Sequence, residues 1–149
     1  MSRRILVIGY GNPGRGDDGL GPALAERLEA LCLPQVNVES DYQLTIEHAA
    51  MAAEHEVVVF ADAAQDSESL YYFRPVTAAQ GESFSSHSVT PGEVLLLAQS
   101  CFNAHPEAYL LGIRPVSMDQ FEEGLSAGAR AALEAALEHL LRFIAENGA

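Results

Sequence analysis

The sequence is short of cysteines and of basic residues, and each shortage excludes a class of protein. The two cysteines among 149 residues, Cys32 and Cys101, are far apart and outside any C-x-x-C pair. They indicate neither a disulfide framework nor a zinc knuckle, and we expect both to fill small apolar spaces. Eight Lys and Arg side chains stand against 21 Asp and Glu, a net charge of −13. Such a chain lacks the basic surface that nucleic acid requires.

Long apolar runs are also missing. No stretch reaches the roughly 18 apolar residues of a membrane span. The basic start Ser2-Arg3-Arg4 is followed by an apolar run that ends at Gly9, too short for a signal peptide. We therefore expect a cytoplasmic protein without a membrane association, folded as a single domain over residues 1–149.

What the sequence does contain is an alternation of strand and helix patterns. Short β-branched runs predict the strands RRILVIG, QVNVES, EVVVFADA, LYYFRPV and AYLLGIRP. Caps and apolar stripes predict helices that begin near Asp18, at Thr45, after Thr90 and after Ser126. The fourth strand follows an acidic turn and need not be parallel to the others. The order predicts a three-layer α/β fold, in which an open, twisted, mainly parallel five-stranded sheet has helices on both faces.

Glycines in the first loop have the spacing G-x-G-x-x-G, at Gly9, Gly11 and Gly14. In a dinucleotide fold the third glycine already lies in a helix whose N-terminus holds the pyrophosphate. Here Pro13 removes one N–H donor, and we expect the helix to begin only near Asp18. Asp17 and Asp18 then occupy the place of the phosphates and repel them. The glycines are better interpreted as a turn, and no nucleotide is expected.

Carboxylates and one imidazole follow the predicted strands. Asp17 and Asp18 follow the first strand, Asp41 the second and Asp62 the third, and His87 lies in the loop after the fourth. Ligands of open α/β sheets bind outside the carboxyl ends of the strands. Oxygen and imidazole ligands at an open site suit a divalent ion such as nickel or zinc. His48 is a reserve candidate, whereas His139 is expected to be solvated.

Each candidate also has a purely structural interpretation. Asp18 can serve only as a helix N-cap, Asp41 as a turn carboxylate and His87 as an ordinary loop residue. Asp17 is next to Asp18 but on a different side of the turn, which favours a structural or supporting role. Asp62 closes an apolar run, where a buried charge needs a partner. Because the chain contains no H-E-x-x-H motif, spacing alone does not decide between these interpretations.

Three segments together resemble the hydrogenase maturation endopeptidases. They are GYGNPGRGDDGLG, the FADA at the end of the third strand, and His87 shortly before the Thr90 helix, and the resemblance spans essentially the whole chain. In that family an acidic residue of the first loop, the strand-end Asp and the loop His coordinate a metal. The resemblance carries this role to Asp18, Asp62 and His87. Loop-forming positions of the first motif correspond to Gly9, Gly11, Asn12 and Gly19.

The resemblance implies a narrow activity. Such proteins, often grouped with aspartic-type peptidases, remove a C-terminal extension from the precursor of a nickel–iron hydrogenase large subunit after nickel insertion. Asp18, Asp62 and His87 are then expected to engage nickel held by the precursor. Either Asp18 or Asp62 is expected to act as general base on water.

Two departures from the family pattern affect this expectation. Position 18 is Asp where some members have Glu, so the carboxylate reaches one methylene less. After the second strand, a loop of Asp41, Tyr42, Gln43 and Leu44 replaces the DGGT loop associated with proteases of membrane hydrogenases. It resembles the version that serves soluble or cofactor-linked hydrogenases. We expect this loop to contact the substrate and to determine which precursor is accepted.

Two other functions stay open at this point. A metal-binding maturation chaperone would bind nickel without cutting the precursor. The stretch GYGNPG also resembles the start of the bacterial peptidyl-tRNA hydrolases. That family has a histidine soon after the motif, where this chain has Asp17 and Asp18, and it needs a basic surface for tRNA.

Overall fold

The protein is described by a computed structural model that covers residues 3–80, 89–118 and 123–148. Within these residues one sheet has the strand order β2-β1-β3-β5-β4. The strands are β1 (Ile5–Tyr10), β2 (Val36–Asp41), β3 (Val57–Ala63), β4 (Tyr71–Pro75) and β5 (Glu107–Ile113). The helices are α1 (Leu20–Glu29), α2 (Glu47–Ala53), α3 (Pro91–Phe102) and α4 (Ala127–Gly148). All strand pairs are parallel except β4 with β5, so the predicted α/β fold class is confirmed.

Side chains of each strand alternate between two buried layers. Ile5 and Val7 of β1 pack into the cluster that contains the apolar stripes of α1 and α4. Leu6 and Ile8 point the other way, into the cluster formed with α2 and α3. Burying one such side chain stabilises the fold by roughly 1.5–3 kcal/mol, which explains why strands buried on both faces carry continuous apolar runs. We call the second layer the α2/α3 face.

The first loop is shaped by very close packing of α1 on the end of β1. A Cβ on Gly9 would lie 2.1 Å from the carbonyl oxygen of Gly21, and one on Gly11, whose φ is +144°, 2.0 Å from that of Asp18. A Cβ on Gly19 would lie 2.9 Å from Cα of Pro13. The Asn12 side chain accepts a hydrogen bond from the Gly14 N–H at 2.9 Å. The spacing of small residues therefore serves packing within the loop.

α1 begins near Asp18, as predicted, but Asp18 is not its N-cap. Residues Pro13–Gly19 form 3₁₀ turns interrupted at Arg15 and Gly16, and α1 begins at Leu20. Gly19, without a side-chain hydrogen bond, occupies the N-cap position, so Asp18 is not the cap of this helix. Asp18 instead accepts a hydrogen bond at Oδ2 from the Asn12 N–H, at 2.9 Å. This bond turns its carboxylate back towards the end of β1.

The starts of the last two helices agree with the prediction. Thr90 and Glu93 form a capping box. The Thr90 hydroxyl accepts from the Glu93 N–H at 3.2 Å, and the Glu93 carboxylate accepts from the Thr90 N–H at 3.0 Å. Ser126 caps α4 by accepting from the Ala129 N–H at 3.1 Å. The predicted stripe is buried, at Leu133, Leu137, Leu140 and Ile144. The helix includes Gly148, which we expected just past its end.

Three residues away from the site differ from expectation. His139 lies against β4, with Nδ1 3.1 Å from the Tyr71 hydroxyl and its ring 4.9 Å from that of Phe73, so it is not simply solvated. Cys32 and Cys101 are exposed and fill no apolar space.

Across the described part of the chain, no helix is long and apolar enough to cross a membrane.

Candidate active site at the strand ends

Four residues form a row across the α2/α3 face near the carboxyl ends of the parallel strands. Asp62 of β3 is paired in register with Gly112 of β5, and Gly112 is paired with Tyr72 of β4. On the other side of β3, the registered pairs with β1 end at Gly9 and Ala61, so Tyr10 comes next beside Asp62. The sheet therefore brings Tyr10, Asp62 and Tyr72 together from three distant parts of the sequence.

Asp62 is a half-buried carboxyl with an unusual acidity. Its Oδ1 accepts a hydrogen bond from the Ala63 N–H at 2.8 Å. Burial raises its pKa to about 7, and the nearby negative charge of Asp18 acts in the same direction, against the bonds from Ala63 and from the Tyr10 hydroxyl. Such a carboxyl gains and loses its proton near neutral pH, which suits a general base or acid.

Asp18 supplies the second carboxylate of the site. It is half-buried, and the Asn12 N–H bond fixes its orientation. Its negative charge acts on Asp62 and raises the pKa of Asp62. Two neighbouring carboxylates repel each other unless they share a proton or a cation. The structure thus brings Asp18 and Asp62 together, as the positions of the strand ends predict.

Tyr10 is a site residue that the sequence analysis missed. Burial, together with the charge of Asp62 and a hydrogen bond to it, raises the Tyr10 pKa far above its ordinary value. The hydroxyl therefore keeps its proton and donates towards Asp62, while the ring packs on the α2/α3 face. Strand alternation could have found it, because Tyr10 follows Leu6 and Ile8 at spacings of two and so shares their face.

Asp17 has an entirely different environment from its neighbour. It is 1% exposed, and its two oxygens accept from the backbone N–H groups of Val116, Ser117 and Ser126 at 2.7–3.0 Å and from the Ser126 hydroxyl at 2.7 Å. Burial alone would raise its pKa, but these bonds outweigh burial and hold the pKa below the ordinary value. The expected structural role of Asp17 is confirmed.

The loop after β2 divides into exposed and buried residues. Asp41, Tyr42 and Gln43 are exposed, and Tyr42 is 71% exposed. Leu44 is 1% exposed and belongs to the core of the α2/α3 face. The expectation that Leu44 contacts a substrate is therefore corrected, because its side chain is enclosed by the protein itself. For Asp41, Tyr42 and Gln43 the contact with a substrate stays a prediction.

His48, the reserve candidate, anchors this loop. It is 3% exposed, and its Nδ1 accepts from the Thr45 N–H at 2.9 Å. The ring proton of a neutral His48 is therefore on Nε2, which lies 3.9 Å from Oδ2 of Asp41. His48 thus contacts Asp41, before Tyr42, and Thr45, three residues after it, and these contacts hold the loop against α2.

The third expected metal ligand, His87, lies outside the described residues. The rule of strand ends does not apply to the loop that follows β4, because β4 is antiparallel and ends at Pro75, opposite Tyr109 at the amino side of the sheet. The assignment of His87 stays a prediction, which the family resemblance supports. Among residues 3–80, 89–118 and 123–148, no three His, Cys, Asp or Glu side chains gather as metal ligands.

The chain resembles one class of solved structures, the [NiFe] hydrogenase maturation proteases, over nearly its whole length, which confirms the resemblance expected from its motifs. HycI from Thermococcus kodakarensis is 26% identical, with a TM-score of 0.73, and the match covers 95% of this chain and 92% of that one. A hydrogenase 2 maturation peptidase from a Thaumarchaeota archaeon is 25% identical, with a TM-score of 0.71 and coverage of 96% and 99%.

The hydrogenase maturating endopeptidase HybD from Escherichia coli, at 24% identity, supports the fold alone. Its TM-score is 0.76, and the match covers 97% of this chain and 94% of that one. No family model and no curated protein matches the sequence. The similarity is therefore carried by the three-dimensional structure and by the short motifs described above.

Proposed function

We propose that this protein is an endopeptidase of [NiFe] hydrogenase maturation, which removes the C-terminal extension of a large-subunit precursor. The observation that carries the proposal is the pairing of Asp18 with a half-buried Asp62 at the strand ends. It supports the proposal because the pair occurs in a chain that resembles such proteases over 95% of its length. A chain of this fold without acid–base groups at that edge would give no reason to expect hydrolysis.

Asp62 is the residue that we assign as general base, in line with an aspartic-type peptidase. The carboxylate accepts a proton from a water molecule while the water oxygen attacks the carbonyl carbon of the scissile bond. The same proton then passes to the departing amine, so no other reagent is needed. A pKa of about 7 makes the carboxyl able to accept and return a proton at neutral pH.

Nickel carried by the precursor is the feature that we expect Asp18, Asp62 and His87 to recognise. A divalent cation between two carboxylates removes their repulsion and lowers the pKa of Asp62. Docking of a nickel-loaded precursor would thus favour the ionised form of Asp62, the form that acts as a base. This linkage gives a chemical reason for cutting the precursor only after nickel insertion.

The experiment that tests the proposal is the mass of a large-subunit precursor before and after incubation with this protein. Nickel-loaded and nickel-free precursors from the same organism are compared, with Asp62→Asn as the inactive control. Loss of a C-terminal peptide from the loaded form alone supports both the protease and its nickel requirement. Cleavage of both forms overturns nickel recognition. Binding of the loaded form without cleavage favours the nickel-binding chaperone.

A further inference from the structure

A cleft opens beside Asp62, on the side away from Tyr10. Its volume is about 340 Å³, and Asp62 is part of its wall. Ala64, Leu110, Gly112, Met118 and the Tyr72 ring also line it, together with the polar side chains of Gln65 and Asp66. The cleft is therefore directly continuous with the proposed general base and combines an apolar part with a polar one.

The absence of a side chain at Gly112 makes room for the Tyr72 ring, which forms one wall of this cleft. Tyr72 and Gly112 are paired in register, and a Cβ on Gly112 would lie 2.3 Å from Cζ of the Tyr72 ring. The ring therefore lies directly over the backbone of β5 and reaches towards Asp62. The negative charge of Asp62 is one of several influences, after burial, that raise the Tyr72 pKa. Any side chain at position 112 would push the ring out of this place.

Two further contacts hold the ring. The Arg74 guanidinium lies over it, 3.6 Å from its centroid, and the Tyr72 hydroxyl donates to Oδ1 of Asp66 at 3.4 Å. Arg74 is also 3.9 Å from Oδ2 of Asp66. Ring, guanidinium and carboxylate thus support one another, and Tyr72 forms a fixed wall before any substrate arrives.

We propose that this cleft binds one precursor side chain next to the scissile bond, and that Tyr72, seated on Gly112, is the specificity-determining residue that sets its width. The inference rests on the proposed peptidase function. A side chain with a long apolar body fits it, because Ala64, Leu110, Met118 and the Tyr72 ring offer apolar contacts. Seating that side chain brings the neighbouring peptide bond to Asp62.

The test compares the processing kinetics of the full-length protein with those of three variants of the cleft and one control variant. Tyr72→Ala removes the wall and should raise KM for the precursor about 10-fold while kcat changes little, because uniform binding is lost. Tyr72→Phe keeps the ring and should stay within about 2-fold of the wild type. Gly112→Ala displaces the ring and should resemble Tyr72→Ala. Tyr71→Ala is the matched control, since Tyr71 points to the opposite face of β4.

An unchanged KM in Tyr72→Ala, or equal losses in Tyr72→Ala and Tyr71→Ala, would overturn the inference. A second measurement does not depend on cleavage. The Met118 methyl NMR signal is followed while a synthetic peptide of the precursor C-terminus is added. A shift that disappears in Tyr72→Ala supports binding of the peptide in the cleft. If the wild type nevertheless cuts no precursor, only the proposed protease activity is refuted. No shift in the wild type contradicts the cleft, whether or not the precursor is cut.

Discussion

Asp17 and Asp18 are adjacent in the sequence but have different roles, since Asp17 stabilises the fold and Asp18 belongs to the candidate active site. Asp17 is enclosed by donors from two other segments, residues 116–117 and residue 126, and keeps its charge because both of its oxygens accept hydrogen bonds. Asp18 accepts a bond from the Asn12 N–H and contributes its charge to Asp62. The difference teaches that a carboxylate's role depends on the donors around it. Oxygens held by several hydrogen bonds from the protein stabilise the fold, whereas oxygens with few such bonds can bind a ligand or react.

The largest expected effect removes function and spares the fold. Asp18→Asn keeps an oxygen that can accept from the Asn12 N–H but removes the charge beside Asp62. We expect precursor processing to fall about 100-fold or more, with a change in unfolding free energy below about 1 kcal/mol. Mass spectrometry of the precursor and urea unfolding measure the two effects. Normal processing by this variant would show that Asp18 serves only the loop.

The reverse pattern is expected for Asp17. Asp17→Ala leaves the N–H groups of Val116, Ser117 and Ser126 without their acceptor, and we expect a loss of about 4 kcal/mol in unfolding free energy. Processing per folded molecule should change only a few-fold. Urea unfolding midpoints at 25 °C, with activity measured below the transition, check this. A stable but inactive variant would mean that Asp17 belongs to the reacting groups after all.

The pH dependence sharpens the comparison further. Because the pKa of Asp62 is raised to about 7, processing should increase through pH 7 as the carboxylate forms. Protonated Asp62 contributes stability below its unfolded pKa, and this contribution is lost as the pH rises through 7. Asp62→Asn should therefore be more stable than the wild type at pH 8 and show no such advantage at pH 3.

The stability effect of Asp17 has the opposite sign. Its lowered pKa means that the charged form stabilises the fold above the unfolded pKa, and that this stability is lost as the pH falls through the folded pKa. Thermal unfolding of wild type and Asp17→Ala at acid and neutral pH tests it. Their stability difference should shrink on acidification, and a constant difference would contradict the assignment.

The smallest effect on stability is expected at Tyr42, in the loop after β2. Tyr42 is 71% exposed, so Tyr42→Ala should change the unfolding free energy by less than about 0.5 kcal/mol. Leu44 is 1% exposed, and Leu44→Ala should cost about 2–5 kcal/mol. If the exposed part of the loop selects the precursor, only Tyr42→Ala changes the relative rates on two different precursors. Competition between two precursors in one tube measures this preference.

Much of the fold was predictable because its signals are local. The β-branched runs gave the parallel strands, and the Thr90–Glu93 capping box gave the start of α3. Asp62 was predictable because β3 is parallel to its neighbours, so its carboxyl end lies at the ligand-binding edge. The same reasoning does not extend to the loop after β4, because β4 pairs antiparallel with β5, and His87 stays a prediction.

The missed features depend on contacts between distant segments. Asp18 does not cap α1, because it belongs to the 3₁₀ turns interrupted at Arg15 and Gly16, and Gly19 occupies the N-cap position. Leu44 is enclosed by helices that the pattern of its own loop does not reveal. The row from Tyr10 to Tyr72 requires the strand order β1-β3-β5-β4, and no short stretch of sequence encodes that order.

The bonds of Asp17 also have a consequence for the timing of folding. They join residue 17 to residues about 100 positions later, at Val116, Ser117 and Ser126. Such long-range contacts form late, since the intervening chain must be closed first. On the ribosome, the loop that carries Asp18 is made near the beginning but is anchored only after β5 and the start of α4 have emerged. An incomplete chain would therefore already contain Asp17 and Asp18, while the first loop is not yet anchored and the active site is not yet formed.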